Sequence, residues 1–245
     1  MESGSRCHAA VTRERGETPV ASYCEAAVNR LDSSRSPHEV PVTGQREDNA
    51  AGSGATAFDG HPPAEDFSGS ELARSRRLRL SGLRYADIPR ISRLYAQTSS
   101  QPLLFDSPTR FIDVAALVAC VNQLYARSPG LGVWRADALD GDFLGLFSLL
   151  PVPDSDEVEV HVRLTPEAWG RWYAVEGTHV LCRQAFDVLG LAHVFAFGHP
   201  AHHAARRILL HFGFRDMGPC EHRRQAANRY VLDASSWRES RRLYS

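Results

Sequence analysis

The residues best placed to do chemistry fall on one short stretch. Over Glu157–Leu164 the sequence alternates, with Val158, Val160, Val162 and Leu164 on one face and Glu159, His161 and Arg163 on the other. A carboxylate or an imidazole on such a face can take a proton from an attacking nucleophile, directly or through a water, so Glu159 and His161 are the candidate general bases. Solvation, or pairing with arginine, is the plainer role for both. Immediately downstream comes Trp169-Gly170-Arg171-Trp172-Tyr173-Ala174, and then a helical pattern to about Leu189. A strand that turns tightly into a helix presents free backbone N–H groups and the positive end of the helix dipole, which together hold an anion. Glycine belongs in such a turn because it lets the backbone approach a phosphate closely. His199, His202, His203, His211 and His222 raise a metal reading, but no Cys or Asp accompanies them at matching spacing, so no metal site is expected. Cys182 falls on the apolar face of a helix, where a thiol packs and does not react.

These groups need a scaffold, and the apolar pattern supplies one from Arg77 onward. Leu78, Leu80 and Leu83 open a strand, and Ile88, Ile91, Leu94 and Tyr95 follow at helical spacing. Phe111–Arg127 reads as a second helix with Thr109 as its cap. Strands follow at Gly132–Ala136 and Phe143–Leu150, separated by the turn Leu139-Asp140-Gly141-Asp142. After the Glu157–Leu164 strand, the helix to Leu189 carries Ala174, Thr178, Leu181, Cys182, Ala185 and Leu189 on its inner face and stops at Gly190. Val194–Phe197 is a further strand, Ala201–Phe212 a helix, and strands from Gly213-Phe214 and at Tyr230–Leu232 close the sheet. The expected order is β-α-α-β-β-β-α-β-α-β-β: an α/β (α+β) domain with a mixed central sheet of about six to seven strands and helices on both faces.

The remaining sequence bounds the setting. Residues 1–72 carry a net charge of −6, residues 73–245 a net charge of +5, and every basic residue of the chain is Arg. The mildly basic part suits an anionic small ligand and is too weakly charged to argue for nucleic acid. Residues 1–72 show no sustained apolar period and read as a disordered N-terminal extension, with a short helix near Tyr23–Leu31. Residues 73–235 form the domain, and 236–245 a C-terminal tail. Cys7, Cys24, Cys120, Cys182 and Cys220 are scattered without a CxxC pair, which reads as reduced thiols. No apolar run approaches the roughly 18–20 residues of a membrane span. The expectation is a soluble, cytoplasmic protein with no membrane partner.

Three segments carry a resemblance. They are Glu157-Val-Glu-Val-His-Val-Arg-Leu164, Leu164-Thr-Pro-Glu-Ala-Trp-Gly-Arg-Trp-Tyr-Ala-Val-Glu176 and His199-Pro-Ala-His-His-Ala-Ala-Arg-Arg-Ile-Leu-Leu-His-Phe-Gly-Phe214. In order and spacing they resemble the GNAT family of N-acetyltransferases, nearest to the branch that acetylates ribosomal-protein alanine and serine N-termini. The resemblance implies acetyl-CoA as co-substrate and an acceptor amine on a small molecule or a protein N-terminus. It implies a thioester carbonyl held by backbone N–H groups at a bulged end of the central strand, around Val162–Leu164. The pyrophosphate would lie on Trp169, Gly170, Arg171, Trp172, Tyr173 and Ala174, with His202 where the family has a CoA-contacting Asn and with Arg206 and Arg207 nearby. The chain departs from the pattern at Trp172, where the family has a glycine, and at Ala205, where it has a serine. Phe197 and Leu209 occupy the base and acid positions of the ribosomal branch, so that pair does not carry over, and Tyr95 and Tyr173 are the other candidate acids. The departures leave a second reading open, a non-catalytic GNAT-fold binding protein. The acceptor wall would come from Thr98–Pro108, including Gln101–Phe105, and from the hairpin near Pro219–Asn228. A homodimer is compatible with this fold.

Overall fold

In the computed structural model, residues 69–98, 111–152, 155–222 and 225–243 are described. The expectations for residues 1–68, for the Gln101–Phe105 wall and for the Thr109 cap lie outside them. Eight strands form one mixed sheet in the order β1-β2-β3-β4-β5-β6-β8-β7. These are β1 (Glu71–Arg74), β2 (Leu78–Gly82), β3 (Gly132–Ala138), β4 (Phe143–Pro151), β5 (Val158–Leu164), β6 (His193–Gly198), β7 (Arg215–His222) and β8 (Gln225–Asp233). The helices are α1 (Ile88–Thr98), α2 (Phe111–Arg127), α3 (Tyr173–Arg183), α4 (His203–His211) and α5 (Ala234–Leu243). The expected class, order and mixed sheet are present, with one strand more than the six to seven expected.

That extra strand is β1, which pairs antiparallel with β2 and starts at Glu71, inside the stretch read as extension. Two apolar residues in four give no alternation to detect, and the strand exists because β2 offers it an edge. The other boundary also moves. Residues 236–245 were expected to be a tail, yet α5 starts at Ala234 and inserts Trp237 into the core at 1% exposure. Its indole meets His179 of α3 edge-on at 4.8 Å and lies 6.1 Å from Phe186. A polar helix with a single buried anchor has too narrow an apolar stripe to be read from its sequence. The helix expected to run to Leu189 is α at Tyr173–Arg183 and π over Gln184–Val188.

Helices cover both faces of β5, and that corrects the expected half-solvated strand. On one side Phe147 of β4, opposite Val162, packs under Gly177 of α3. On the other side the Arg163 guanidinium lies over the Tyr95 ring of α1 at 4.5 Å. Burial holds Arg163 below the ordinary guanidinium range, against the opposing influence of Tyr95. Glu159 and Arg163 are therefore buried and not solvated, at 2% and 4% exposure.

Candidate functional site

β5 and β6 run parallel and pair at one position, Glu159 opposite Phe195. C-terminal to that rung no further residues of the two strands pair, which leaves a fork between them. Thr165 N–H donates to Leu144 O at 2.9 Å, which fixes the antiparallel alternation with β4. By that alternation the N–H groups of Val162 and Leu164 point toward β6, into the fork. The β4–β5 register runs without a shift from Gly145↔Leu164 to Pro151↔Val158. The bulge expected near Val162–Leu164 is thus not what turns these donors outward; the divergence of β6 is.

Past the fork, the chain turns through Pro166–Ala168 and Trp169–Trp172 into α3. Trp169 Nε1 donates to Leu164 O at 3.1 Å and ties the turn to the end of β5. Gly170 and Trp172 both take left-handed backbone, at φ 71° and 66°. A tryptophan there costs roughly 1–2 kcal/mol relative to ordinary backbone, which is why glycine suits the position. Its indole makes no capping hydrogen bond to α3. It stands 66% exposed, edge-on to His211 at 6.5 Å. A Cβ placed on Gly170 would meet nothing within 4 Å, so the face of the turn is open.

The turn is fixed from below. Arg77 donates its Nε to Glu176 Oε2 at 2.7 Å and its Nη1 to Arg171 O at 3.0 Å, and its guanidinium lies over the Tyr173 ring at 4.8 Å. Glu176 also accepts from Arg77 N–H and from Ser75 Oγ. Burial works against its charge, but these hydrogen bonds and the Arg77 charge outweigh it and hold the carboxyl below its ordinary range. Ala174 is half-buried against the core. Arg171 lines a cleft of about 400 Å³ with Arg90 and Arg93 of α1 and Glu167. Across the fork, His202 caps α4, its Nδ1 accepting from Ala205 N–H at 3.1 Å, which leaves Nε2 to donate.

At the root of the fork lies a group that the sequence did not bring together. Glu159 Oε2 is 3.6 Å from His222 Nε2, at the end of β7. The His222 ring lies flat on Phe197 of β6, centroids 3.8 Å apart and planes at 9°. Arg229 of β8 covers the Phe195 ring at 4.3 Å and donates to Glu157. His161, the other candidate base, is half-buried on the same face as Glu159, and its carbonyl accepts from Ser148 Oγ at 3.3 Å. In the sequence His222 is one of several scattered histidines; nothing in its spacing points across 63 residues to Glu159. Among the described residues, no group of three His, Cys, Asp or Glu is arranged to hold a metal, and no helix is long and apolar enough to cross a membrane.

A strand fork, a turn with two left-handed residues and a helix N-terminus thus follow one another from β5 to α3. The acetyltransferase (GNAT) domain profile matches residues 77–215. The chain belongs to the GNAT family. A curated relative, the FsC-acetyl coenzyme A-N(2)-transacetylase of Aspergillus fumigatus, is 36% identical over 93 residues. That match covers 35% of this GNAT chain and 39% of the relative's length. Among solved structures, the ribosomal L7/L12 alpha-N-protein acetyltransferase RimL in complex with coenzyme A superposes with a TM-score of 0.58 at 14% identity, over 67% of this chain and 98% of that one. The spermidine N-acetyltransferase of Vibrio cholerae in complex with CoA and spermine gives 0.56 at 16% identity, over 66% and 99%. At such identities the likeness shows the GNAT fold.

Proposed function

We propose that this GNAT protein is an acetyl-CoA-dependent N-acetyltransferase whose acceptor is a primary amine of a small molecule or a protein N-terminus. The observation that carries this reading is the fork. Val162 and Leu164 N–H face into it, an open turn and the α3 N-terminus lie at its mouth, and buried Glu159 stands at its root. In this reading the turn Trp169–Ala174, with Arg171 and the free His202 Nε2, holds the pyrophosphate of acetyl-CoA. Val162 N–H holds the thioester carbonyl. Bound acetyl-CoA supplies the activated acetyl group; the protein orients it, excludes water and accepts the amine proton at the Glu159 end, with His161 as the other candidate base. Residues 71–243 are the folded unit for this purpose. The relatives named above bear on the acceptor class: an N(2)-amine, a polyamine and a protein α-amine all carry primary amines.

The second reading, a non-catalytic GNAT-fold binding protein, rests on the three departures from the family pattern, at Trp172, His202 and Ala205. Trp172 occupies a left-handed position, and His202 has already spent one ring nitrogen on its cap. One experiment separates the two. The full chain is incubated with acetyl-CoA and a panel of polyamines, amino-acid amides and peptides with free Ala or Ser N-termini, and thiol release and acetylated product are followed. Amine-dependent thiol release with a mass gain of one acetyl group supports the transferase. Binding of CoA without release on any amine favours the second reading.

A further inference from the structure

His222 ends β7 in the β7–β8 hairpin, and it is the residue of β7 that lies against Glu159 of β5. Along β7, Glu221 is exposed and Cys220 half-buried, whereas His222 is buried. The hairpin places it there through β8, whose Asn228 pairs with Gly198 at the end of β6. Its ring is held on one face by the Phe197 stack and along one edge by the Glu159 carboxylate. Burying an imidazole against a carboxylate costs desolvation that two apolar side chains would avoid. A chain that needed only packing here would gain nothing from this pair. A buried imidazole beside a buried carboxylate is an arrangement that can carry a proton.

We propose that His222 is the catalytic proton acceptor of the acetyl transfer and that Glu159 is its positioning residue; this deepens the N-acetyltransferase reading above and rests on it. The carboxylate beside Nε2 favours the tautomer with its proton on Nε2, so Nδ1 carries the lone pair. The amine nitrogen attacks the acetyl carbon, forming the C–N bond as the C–S bond of the thioester breaks. The proton lost by nitrogen passes to His222 Nδ1, and the imidazolium returns it to the departing CoA thiolate, so the products are the amide and the free thiol. The Glu159 charge stabilises the imidazolium in between. Among the described residues, the elements that carry or flank the pair also bear Glu157, His161 and Arg163 on β5, Tyr95 on α1 under Arg163, and Arg229 on β8. Arg229 donates to Glu157.

The test uses the full chain with acetyl-CoA and an amine found to be turned over. His222→Gln is expected to lower kcat by about 100-fold or more, within the range for removal of a general base, while the Kd for CoA changes less than about two-fold. Added imidazole is expected to restore activity to His222→Gly. Glu159→Gln is expected to lower kcat less, by about ten-fold, and to move the acid limb of the kcat/KM profile to lower pH, because the imidazole loses its stabilising charge. Wild-type kcat/KM for His222→Gln, or a loss in His222→Gly that comes with lost CoA binding and no rescue, would overturn the dyad and leave the transferase reading standing. A wild-type chain that binds CoA but acetylates no amine would sink both.

Discussion

Gly177 of α3 sits so close to Phe147 of β4 that a Cβ placed on it would lie 2.1 Å from the ring. By this contact α3, and with it the turn Trp169–Trp172, is seated on the central strands. Gly177→Ala is expected to destabilise the fold by about 1–3 kcal/mol through overpacking, despite alanine's better helix propensity. Urea denaturation measures it; an unchanged midpoint would mean that Phe147 moves aside at no cost.

The far side of the sheet is pinned by charge. Arg135 donates to Asp87 Oδ1 at 2.5 Å and to Asp137 Oδ2 at 2.7 Å, and all three side chains are nearly buried. Burial opposes the arginine's charge, but its bonds to Asp87 and the charges of both carboxylates outweigh that and raise its pKa. Asp87→Ala should cost about 3 kcal/mol, because it leaves a buried guanidinium half-paired. The double change Asp87→Ala with Arg135→Met should recover part of the loss, and a cycle showing strict additivity would contradict the coupling.

Glu176 links the β1–β2 connection to the first turn of α3, and its pKa is depressed in the folded state. A depressed carboxyl contributes stability that is full above its unfolded pKa of about 4.3 and is lost as the pH falls through the folded value. The stability difference between wild type and Glu176→Gln should therefore be constant above about pH 5 and shrink toward pH 3. Thermal melts across that range test it; a difference that grows on acidification would show the opposite sign.

Trp172 bears on co-substrate binding most directly. Since its indole is 66% exposed and makes no capping bond, acetyl-CoA is expected to bind the wild-type chain in calorimetry, and Trp172→Gly should bind at least as tightly. Trp172→Gly should also be neutral or stabilising by up to about 1 kcal/mol, since it relieves left-handed strain and removes little packing. Binding by Trp172→Gly alone would show that the indole swings over the turn.

Much of this arrangement is legible in the sequence, and the illegible part has a common cause. The turn around Gly170 announces itself because strand, glycine and helix follow one another within a dozen residues. The order of elements follows from apolar spacing alone. Burial of Glu159 and Arg163 does not, because alternation looks the same whether the polar face meets water or meets Tyr95 and His222. Phe197 reads as a lost catalytic position, yet in space it is the shelf on which His222 lies. Trp237 and β1 are missed because each depends on a neighbour distant in sequence.

The single rung between Glu159 and Phe195 has a mechanical meaning. The sheet is two half-sheets stitched at one point, with side-chain packing carrying the rest of the load across the seam. A molecule lying in the gap and accepting from Val162 N–H would add the missing stitches. Occupancy would then stiffen the whole protein, and slow amide exchange on both banks of the seam at once.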